Sequence, residues 1–214
     1  MSTKTKEKTV NETMVKKYKT PFRQAGGTYF YSTAISGKKN IFVCEDYMDL
    51  LVNAFKVAEI QHDVKSLAYV IMPNHFYWIF RLSEKQDNPS QVYGTVKKEV
   101  TLEILKLLSE EAKDDKNKKG QLDIFQKNQA VKRSDPRKIL WDFKQMAKAL
   151  DDGRKYVVWE KKGKVFPIND EKSLIRNLRF VADAPIRDRW NLVEKSLDYP
   201  YLYVADEFIS KLAV

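Results

Sequence analysis

The sequence predicts an α+β domain of ferredoxin or RNA-recognition-motif type, in which helices pack on a central antiparallel sheet of about five strands. Three observations support this class. Short stretches of alternating apolar residues are typical of strands, and longer stretches with apolar residues at helical spacing are typical of helices. These stretches follow one another as strand, helix, strand, strand, helix over residues 28–111. The 214 residues are 43% hydrophobic, which is enough to bury a packed core.

The first half of the chain carries the most regular elements. TYFYSTAIS (28–36) alternates β-branched and aromatic residues up to a glycine, as a strand does. Residues 44–63 place apolar side chains on one stripe after acids in the first turn, which predicts an amphipathic helix. VKSLAYVIM and FYWIFRL flank a turn at Pro73-Asn74 and predict two strands. Residues 90–111 return to helical spacing.

The second half begins with a basic interruption. Residues 113–138 hold nine Lys/Arg against four acids without a sustained apolar period, which indicates a loop or insertion. Asp135-Pro136 then caps a helix that continues to residue 150. KYVVWE and VFPI predict two further strands, and residues 170–183 predict a last helix with acids in its first turn.

The domain organisation follows from these elements. Residues 1–24 hold seven Lys/Arg against two acids and few apolar groups, so we expect a flexible basic arm over residues 1–27. One α+β domain is expected over residues 28–208, with the basic insertion at about 113–138. Residues 209–214 are expected to form a C-terminal tail.

The composition bounds the function. A net charge of +10 and a pI near 9.4 favour an acidic partner such as nucleic acid, although ordinary soluble proteins also reach such charges. The single cysteine, Cys44, excludes an intramolecular disulfide and a zinc site built from several thiolates. No apolar run approaches the length of a membrane span, and the N-terminus lacks a signal-peptide core. We therefore expect a cytoplasmic protein without membrane contact.

One of the two histidines lies where the second hairpin strand begins. Because side chains two apart point to the same side of a strand, His75 and Tyr77 share the face opposite Phe76 and Trp78. The apolar face of Phe76 and Trp78 is expected to be the core side. A pair at this spacing can hold a metal or a phosphate, or His75 can be a hydrogen-bonded structural residue, and the residues alone leave both open.

Several basic clusters, among them Lys161-Lys162-Lys164, are candidates for contacts with phosphates. Aromatic residues near them can stack on unpaired bases, and the competing interpretation is a solvated charged surface around an aromatic core. The candidate nucleic-acid-binding residues are Lys16, Lys17, Arg23, Lys97, Lys98, Lys132, Arg133, Arg137 and Lys138.

A family resemblance is carried by motifs in a shared order. AYVIMPNHFYWIF (68–80) is similar to the YVIMPNHVHLLL segment of HUH single-tyrosine transposases, especially the REP-associated tyrosine transposases. NIF (40–42), VWE (158–160), LRFVADAPIRDRWNLVEK (178–195) and DYPYLYVADEF (198–208) match further segments of that family. The resemblance covers about residues 28–208, apart from the excursion at 113–138, and it implies a homodimer.

The resemblance also implies which positions carry the chemistry. In that family two histidines of an H-x-H pair bind a divalent metal, and a helix tyrosine attacks phosphorus to form a phosphotyrosine link to DNA. This sequence keeps His75 as the one candidate metal ligand but has Tyr77 where the second histidine is expected. Phe180 stands at the nucleophile position, and Ala184 stands at the position of an asparagine that serves the metal.

The leading hypothesis is a transposase-derived protein that binds single-stranded or hairpin DNA, or RNA, and has lost metal-dependent strand cleavage. It needs no cofactor. One alternative is an active DNA-strand transferase that uses a displaced tyrosine, for which Tyr156, Tyr199, Tyr201 and Tyr203 are available, with Mg²⁺ or Mn²⁺ at an altered site. The other alternative is a protein-interaction subunit that docks through the 113–138 excursion.

Overall fold

The computed structural model describes residues 23–113, 131–151, 153–161, 163–187 and 190–212. In these residues the strands are β1 (Thr28–Ala34), β2 (Val64–Met72), β3 (His75–Leu82), β4 (Lys164–Ile168) and β5 (Leu202–Val204). The helices are α1 (Glu45–His62), α2 (Pro89–Lys113), α3 (Pro136–Leu150), α4 (Glu171–Ala182) and α5 (Asp206–Leu212). Within these ranges no helix is both long enough and apolar enough to cross a bilayer.

The strands form one five-stranded sheet in the order β4-β1-β3-β2-β5, and every neighbouring pair is antiparallel. The first four strands with α1 and α2 have the connectivity of a ferredoxin-like split βαβ unit. β5 extends the sheet beyond β2. The predicted α+β class with about five antiparallel strands is therefore confirmed.

One face of the sheet is covered by α1 and α2. Phe55 of α1 lies 4.8 Å from the Trp78 ring and 5.4 Å from the Phe76 ring, measured between centroids. Tyr93 of α2 stacks on Tyr31 at 4.3 Å. These side chains are fully or largely buried, so the face of Phe76 and Trp78 is the main core, as the strand pattern predicted.

Helix α4 covers part of the opposite face. Its Leu174, Leu178 and Val181 are buried, as the apolar spacing of this segment predicted. The helix begins at Asp170, whose side chain accepts a hydrogen bond from the backbone N–H of Ser173 at 2.8 Å. This cap satisfies one of the backbone N–H groups that the first turn of α4 leaves without a partner inside the helix.

The stretch KYVVWE is not a strand, so that prediction is wrong. Trp159 forms one isolated bridge with Ile35, and its indole N–H donates to Thr101 Oγ1 at 2.9 Å on α2. The backbone N–H of Val157 donates to the carbonyl of Phe143 on α3 at 3.1 Å. Separate contacts to two helices, α2 and α3, and to Ile35 just after β1 hold this segment, so no ladder of strand hydrogen bonds forms.

The C-terminal residues also differ from expectation. The sequence pattern predicts no strand at residues 202–204, which form β5 beside β2. Residues 209–212 belong to α5 rather than to a tail, because Phe208 is buried and Lys211 makes an ion pair of 2.5 Å with Glu171. Most of the predicted N-terminal arm and of the insertion at 113–138 lies outside the described residues.

Candidate functional site

A cleft of about 1090 Å³ opens on the sheet face that α4 only partly covers. Its floor is formed by β1, β3 and β4, and one wall is formed by α4. In the sheet register Ser32 of β1 pairs with Tyr77 of β3 on one side and with Lys164 of β4 on the other. Because paired residues point to the same face, these three side chains form one row across the floor.

His75 and Tyr77 lie together in this cleft, as the alternation along β3 predicted. Their ring centroids are 4.9 Å apart, and both residues are partly buried. The Nδ1 of His75 lies 2.9 Å from Oδ1 of Asn74, whose Nδ2 donates to the carbonyl of Lys38 at 3.1 Å. Since this amide oxygen can only accept, the contact assigns the imidazole proton to Nδ1 of His75.

Phe180 of α4 lies in the same cleft. Its ring centroid is 5.0 Å from that of Tyr77 and 6.0 Å from that of Phe30, and the residue is 38% exposed. The Arg187 guanidinium lies 4.3 Å over the Phe180 ring and donates a hydrogen bond to the Phe180 carbonyl. The structure therefore brings together His75, Tyr77 and Phe180, three positions that the family resemblance assigned to chemistry.

Ala184 does not reach the lining of the cleft. It is buried in a short 3-10 helix, Ala184–Ile186, directly after α4. The amide that does line the cleft is Asn177, which lies one turn before Phe180 and donates to the Ser173 carbonyl at 2.8 Å. Helical spacing places Asn177 and Phe180 on one face of α4, but the sequence does not show which face meets the cleft.

The donors around His75 do not fit a hard divalent cation. Such ions prefer several oxygen ligands, above all carboxylates, and a neutral phenol is a poor substitute. The carboxylate that lines the cleft, Glu160, accepts a hydrogen bond from the backbone N–H of Gly37 at 3.1 Å. In the described part of the chain, no group of three or more His, Cys, Asp or Glu residues could hold a metal ion.

The tyrosines proposed as displaced nucleophiles lie outside the cleft lining. The hydroxyl of Tyr199 is buried and donates to the Ile71 carbonyl at 2.7 Å, and burial raises the pKa of this phenol above its usual value. Tyr201 donates to Asp49 at 3.1 Å. Among the residues that the structure describes, the tyrosine that lines the cleft is Tyr77.

Two of the candidate nucleic-acid-binding residues lie on α2, which packs on the other face of the sheet. The Lys97 ammonium lies 6.0 Å from the centroid of the Trp159 ring, and burial lowers its pKa. Its carbonyl accepts from the Trp159 indole at 3.1 Å. Lys98 is exposed on the same helix, so neither lysine lines the cleft.

Arg133 has a structural role instead of an open cationic surface. Its guanidinium pairs with Glu111 at 2.5 Å and lies 4.9 Å from the centroid of the Tyr47 ring, and its side chain is 15% exposed. This network joins the start of α1, the end of α2 and the chain before α3. The contacts of Arg133 therefore connect these three segments.

The remaining candidates are exposed or outside the described residues. Arg23, Lys132, Arg137 and Lys138 are exposed and do not line the cleft, and Lys16 and Lys17 lie beyond the described part of the chain. The cleft is lined instead by Lys38, Lys161 and Lys164. Lys161 and Lys164 belong to a basic cluster that the sequence offered for phosphate contacts but not to the selected candidate residues, and Lys38 was not singled out. The basic run at 161–164 is visible in the sequence, but only the pairing of β4 with β1 places it at this cleft.

Aromatic side chains supply most of the apolar lining. Phe166 of β4 stacks on Phe30 at 4.8 Å with 14° between the ring planes. Trp190 approaches His75 at 5.7 Å from the other side. The lining of the cleft thus combines aromatic rings with three lysines.

The sequence matches no protein-family model and no curated protein at a significant level. The structure is similar to that of a REP-associated tyrosine transposase bound to a REP hairpin, with a TM-score of 0.54 and 15% identity. That match covers 86% of this chain and 79% of the other. A candidate transposase from Deinococcus radiodurans R1 overlaps more loosely, with a TM-score of 0.37, 12% identity, and coverage of 76% and 92%. The chain therefore shares the fold of a REP-associated tyrosine transposase.

Proposed function

We propose that this chain is a transposase-derived protein that binds single-stranded or hairpin nucleic acid and has lost metal-dependent strand cleavage. One observation carries the proposal. The cleft in which His75, Tyr77 and Phe180 meet is lined by rings and lysines, and it lacks both a metal-ligand set and a helix tyrosine among the described residues.

The lining favours nucleic acid over a neutral small molecule. The lysines that line the cleft can neutralise backbone phosphates, and the rings can stack on bases without reading their sequence. The net charge of +10 adds long-range attraction for such a ligand. The structural neighbour with the same fold was solved with a REP hairpin, which supports a hairpin as the first ligand to test.

The chemistry of the side chains supports the proposed loss of cleavage. The phenyl ring of Phe180 has no oxygen that can attack phosphorus, and His75 with a neighbouring phenol is a poor site for Mg²⁺ or Mn²⁺. Binding of a strand needs neither group. A protein with this cleft can keep recognition while it no longer cuts.

Fluorescence anisotropy tests the proposal. Wild-type protein is titrated with a DNA hairpin that carries a single-stranded overhang, with a blunt duplex of the same stem and with the RNA version of the hairpin, each at two salt concentrations. We expect tighter binding to a hairpin than to the duplex and a steep loss of affinity with salt. Equal and feeble binding to all three probes would contradict the proposal and favour the protein-interaction alternative.

Two matched charge variants locate the binding surface. Lys161→Gln with Lys164→Gln removes two cations from the cleft, and Lys98→Gln with Lys138→Gln removes two exposed cations outside it. Both variants lower the net charge equally. We expect the cleft variant alone to weaken hairpin binding and to reduce the salt slope by about 1 for each phosphate that is no longer neutralised. An equal fall in affinity in both variants would mean that the charge acts without a defined site.

Restoring the chemical groups tests how the site positions are assigned. Tyr77→His with Phe180→Tyr places two histidines on one face of β3 and a phenol on α4 in the same cleft. Addition of Ala184→Asn completes the family pattern. We expect this variant to gain affinity for Mn²⁺ over wild type in calorimetry. A failure to gain any would indicate that these positions do not correspond to the family's metal site.

The homodimer implied by the resemblance stays part of the proposal. Light scattering coupled to gel filtration gives the mass directly, and a mass near twice the 25.1 kDa of one chain is the expected result. A mass of one chain at micromolar concentration would remove the dimer from the proposal without affecting the binding site.

A further inference from the structure

We propose that the cleft binds an unpaired base of the strand by stacking it on the Phe180–Arg187 pair, while Lys164 contacts the phosphate beside that base. This inference rests on the proposed function and makes it specific. It assigns a binding role to the position at which the family resemblance expects a nucleophile.

The first support is the row of side chains on the sheet floor. Lys164, Ser32 and Tyr77 are in register on three neighbouring strands. Since neighbouring strands lie about 4.8 Å apart, the backbone positions of Lys164 and Tyr77 are separated by about 10 Å. The Lys164 cation at the sheet edge corresponds to the phosphate of one nucleotide. The Ser32 hydroxyl in the middle corresponds to its sugar, and the aromatic wall beyond corresponds to its base.

The second support is the environment of Phe180. Tyr77 and Phe30 meet its ring at 56° and 66°, so neither of them forms a parallel stack with it. The group that lies over the ring is the Arg187 guanidinium, at 4.3 Å, and Phe180 is the member of this pair that lines the cleft. Flat guanidinium groups and aromatic rings are both surfaces on which unpaired bases stack. Phe180 keeps 38% of its surface exposed, so part of its side chain stays open to a ligand in the cleft.

The third support is size. A cleft of about 1090 Å³ lies slightly above the usual range for small-molecule sites. It has room for a nucleotide taken out of a helix. We therefore expect the ligand to offer unpaired nucleotides in a loop, a bulge or an overhang.

The experiment is a double-mutant cycle between the protein and the strand. The probes are the DNA hairpin with a single-stranded overhang and a series in which each unpaired nucleotide in turn is replaced by an abasic site. The proteins are wild type, Phe180→Leu and the control Tyr203→Leu. Tyr203 is 39% exposed on β5 and stacks at 5.1 Å on Tyr69, so the control removes an equally exposed ring outside the cleft.

For wild type, one abasic position is expected to weaken binding by about 5- to 150-fold, the range found for stacking of one base. Phe180→Leu should weaken binding of the intact strand by the same factor. On the strand that is abasic at that position, Phe180→Leu should bind only slightly more weakly than wild type. Tyr203→Leu should bind as wild type does. Phe180→Tyr keeps the ring, so it should retain the affinity. If Phe180→Leu does not fold, the wild-type abasic series still tests the inference, because a stacked base requires one abasic position that weakens binding.

The outcomes separate this inference from the proposed function. Hairpin binding that tolerates every abasic site, or effects that simply add in the cycle, would overturn the stacked base while leaving nucleic-acid binding intact. An equal fall in affinity in Tyr203→Leu would overturn it as well. No binding of wild type to any probe would overturn both proposals together.

Discussion

Replacing Arg133 with glutamine separates a structural cation from a binding one. The guanidinium donates to both carboxylate oxygens of Glu111, at 3.4 and 2.5 Å, and Glu111 also accepts from the Tyr47 hydroxyl at 3.0 Å. Burial raises the pKa of Tyr47, which keeps this phenol protonated as a donor. The variant leaves the Glu111 carboxylate with the phenol as its remaining partner in this network.

The magnitude follows from how far the pair is buried. The side chains of Arg133 and Glu111 are 15% and 20% exposed. An exposed ion pair contributes about 0 to 1 kcal/mol, and breaking a fully buried one costs about 3 to 5 kcal/mol. For this intermediate burial we expect the free energy of unfolding to fall by about 2 to 3 kcal/mol. In a chain of this size the corresponding fall in Tm is about 4 to 12 °C.

The assay pairs urea denaturation with hairpin anisotropy on the same protein. Arg133→Gln should lower stability and leave affinity nearly unchanged, while Lys164→Gln should do the reverse. Adding Glu111→Gln should restore part of the stability, because no unpaired carboxylate is left behind. The reasoning is refuted if Arg133→Gln unfolds as wild type does, within about 0.5 kcal/mol, yet binds the hairpin about tenfold more weakly.

Three further predictions concern the core, the helix cap and the metal. Tyr199→Phe should cost about 1 to 3 kcal/mol in urea denaturation, because the buried Ile71 carbonyl loses its 2.7 Å donor, and an unchanged midpoint would contradict this bond. The hydrogen bonds from Ser173 lower the pKa of Asp170, so the stability gained from this carboxylate is present above its unfolded pKa and lost as the pH falls through its folded pKa. Wild type should therefore lose more stability than Asp170→Asn between about pH 5 and pH 2, and parallel profiles would count against the cap. Hairpin affinity should be the same with chelator and with Mn²⁺, and a denaturing gel should show no covalent protein–DNA band after incubation, whereas such a band would establish strand transfer.

The periodic segments could be predicted from the sequence because their information is local. The hairpin around Pro73-Asn74 and the helices with apolar stripes appear where the pattern placed them. Alternation along β3 also placed His75 and Tyr77 on one face before any tertiary contact was known. In each case, side-chain direction depends only on the period of the backbone.

The features that were not predicted correctly depend on partners that are distant along the chain. KYVVWE has the composition of a strand, but hydrogen bonds to Lys97 and Thr101 on α2 and to Phe143 on α3 hold it in place. β5 has three residues and too little pattern to detect, and it exists because it pairs with β2. The sequence made Arg133 a candidate for a phosphate contact. Its burial against Glu111 is a property of the folded chain, so the sequence could not show it.

The sequence by itself determined the fold class, the faces of β3 and the absence of a tyrosine at position 180, since these depend on residue type and on local spacing. Only the tertiary structure decided which lysines line the cleft. The register of β4 against β1 brings Lys164 into the row of Tyr77, whereas the packing of α2 on the other face keeps Lys97 and Lys98 away from it. The sequence gives the number of charged residues, but pairing between strands that are far apart along the chain sets where those charges lie relative to the aromatic rings of the cleft.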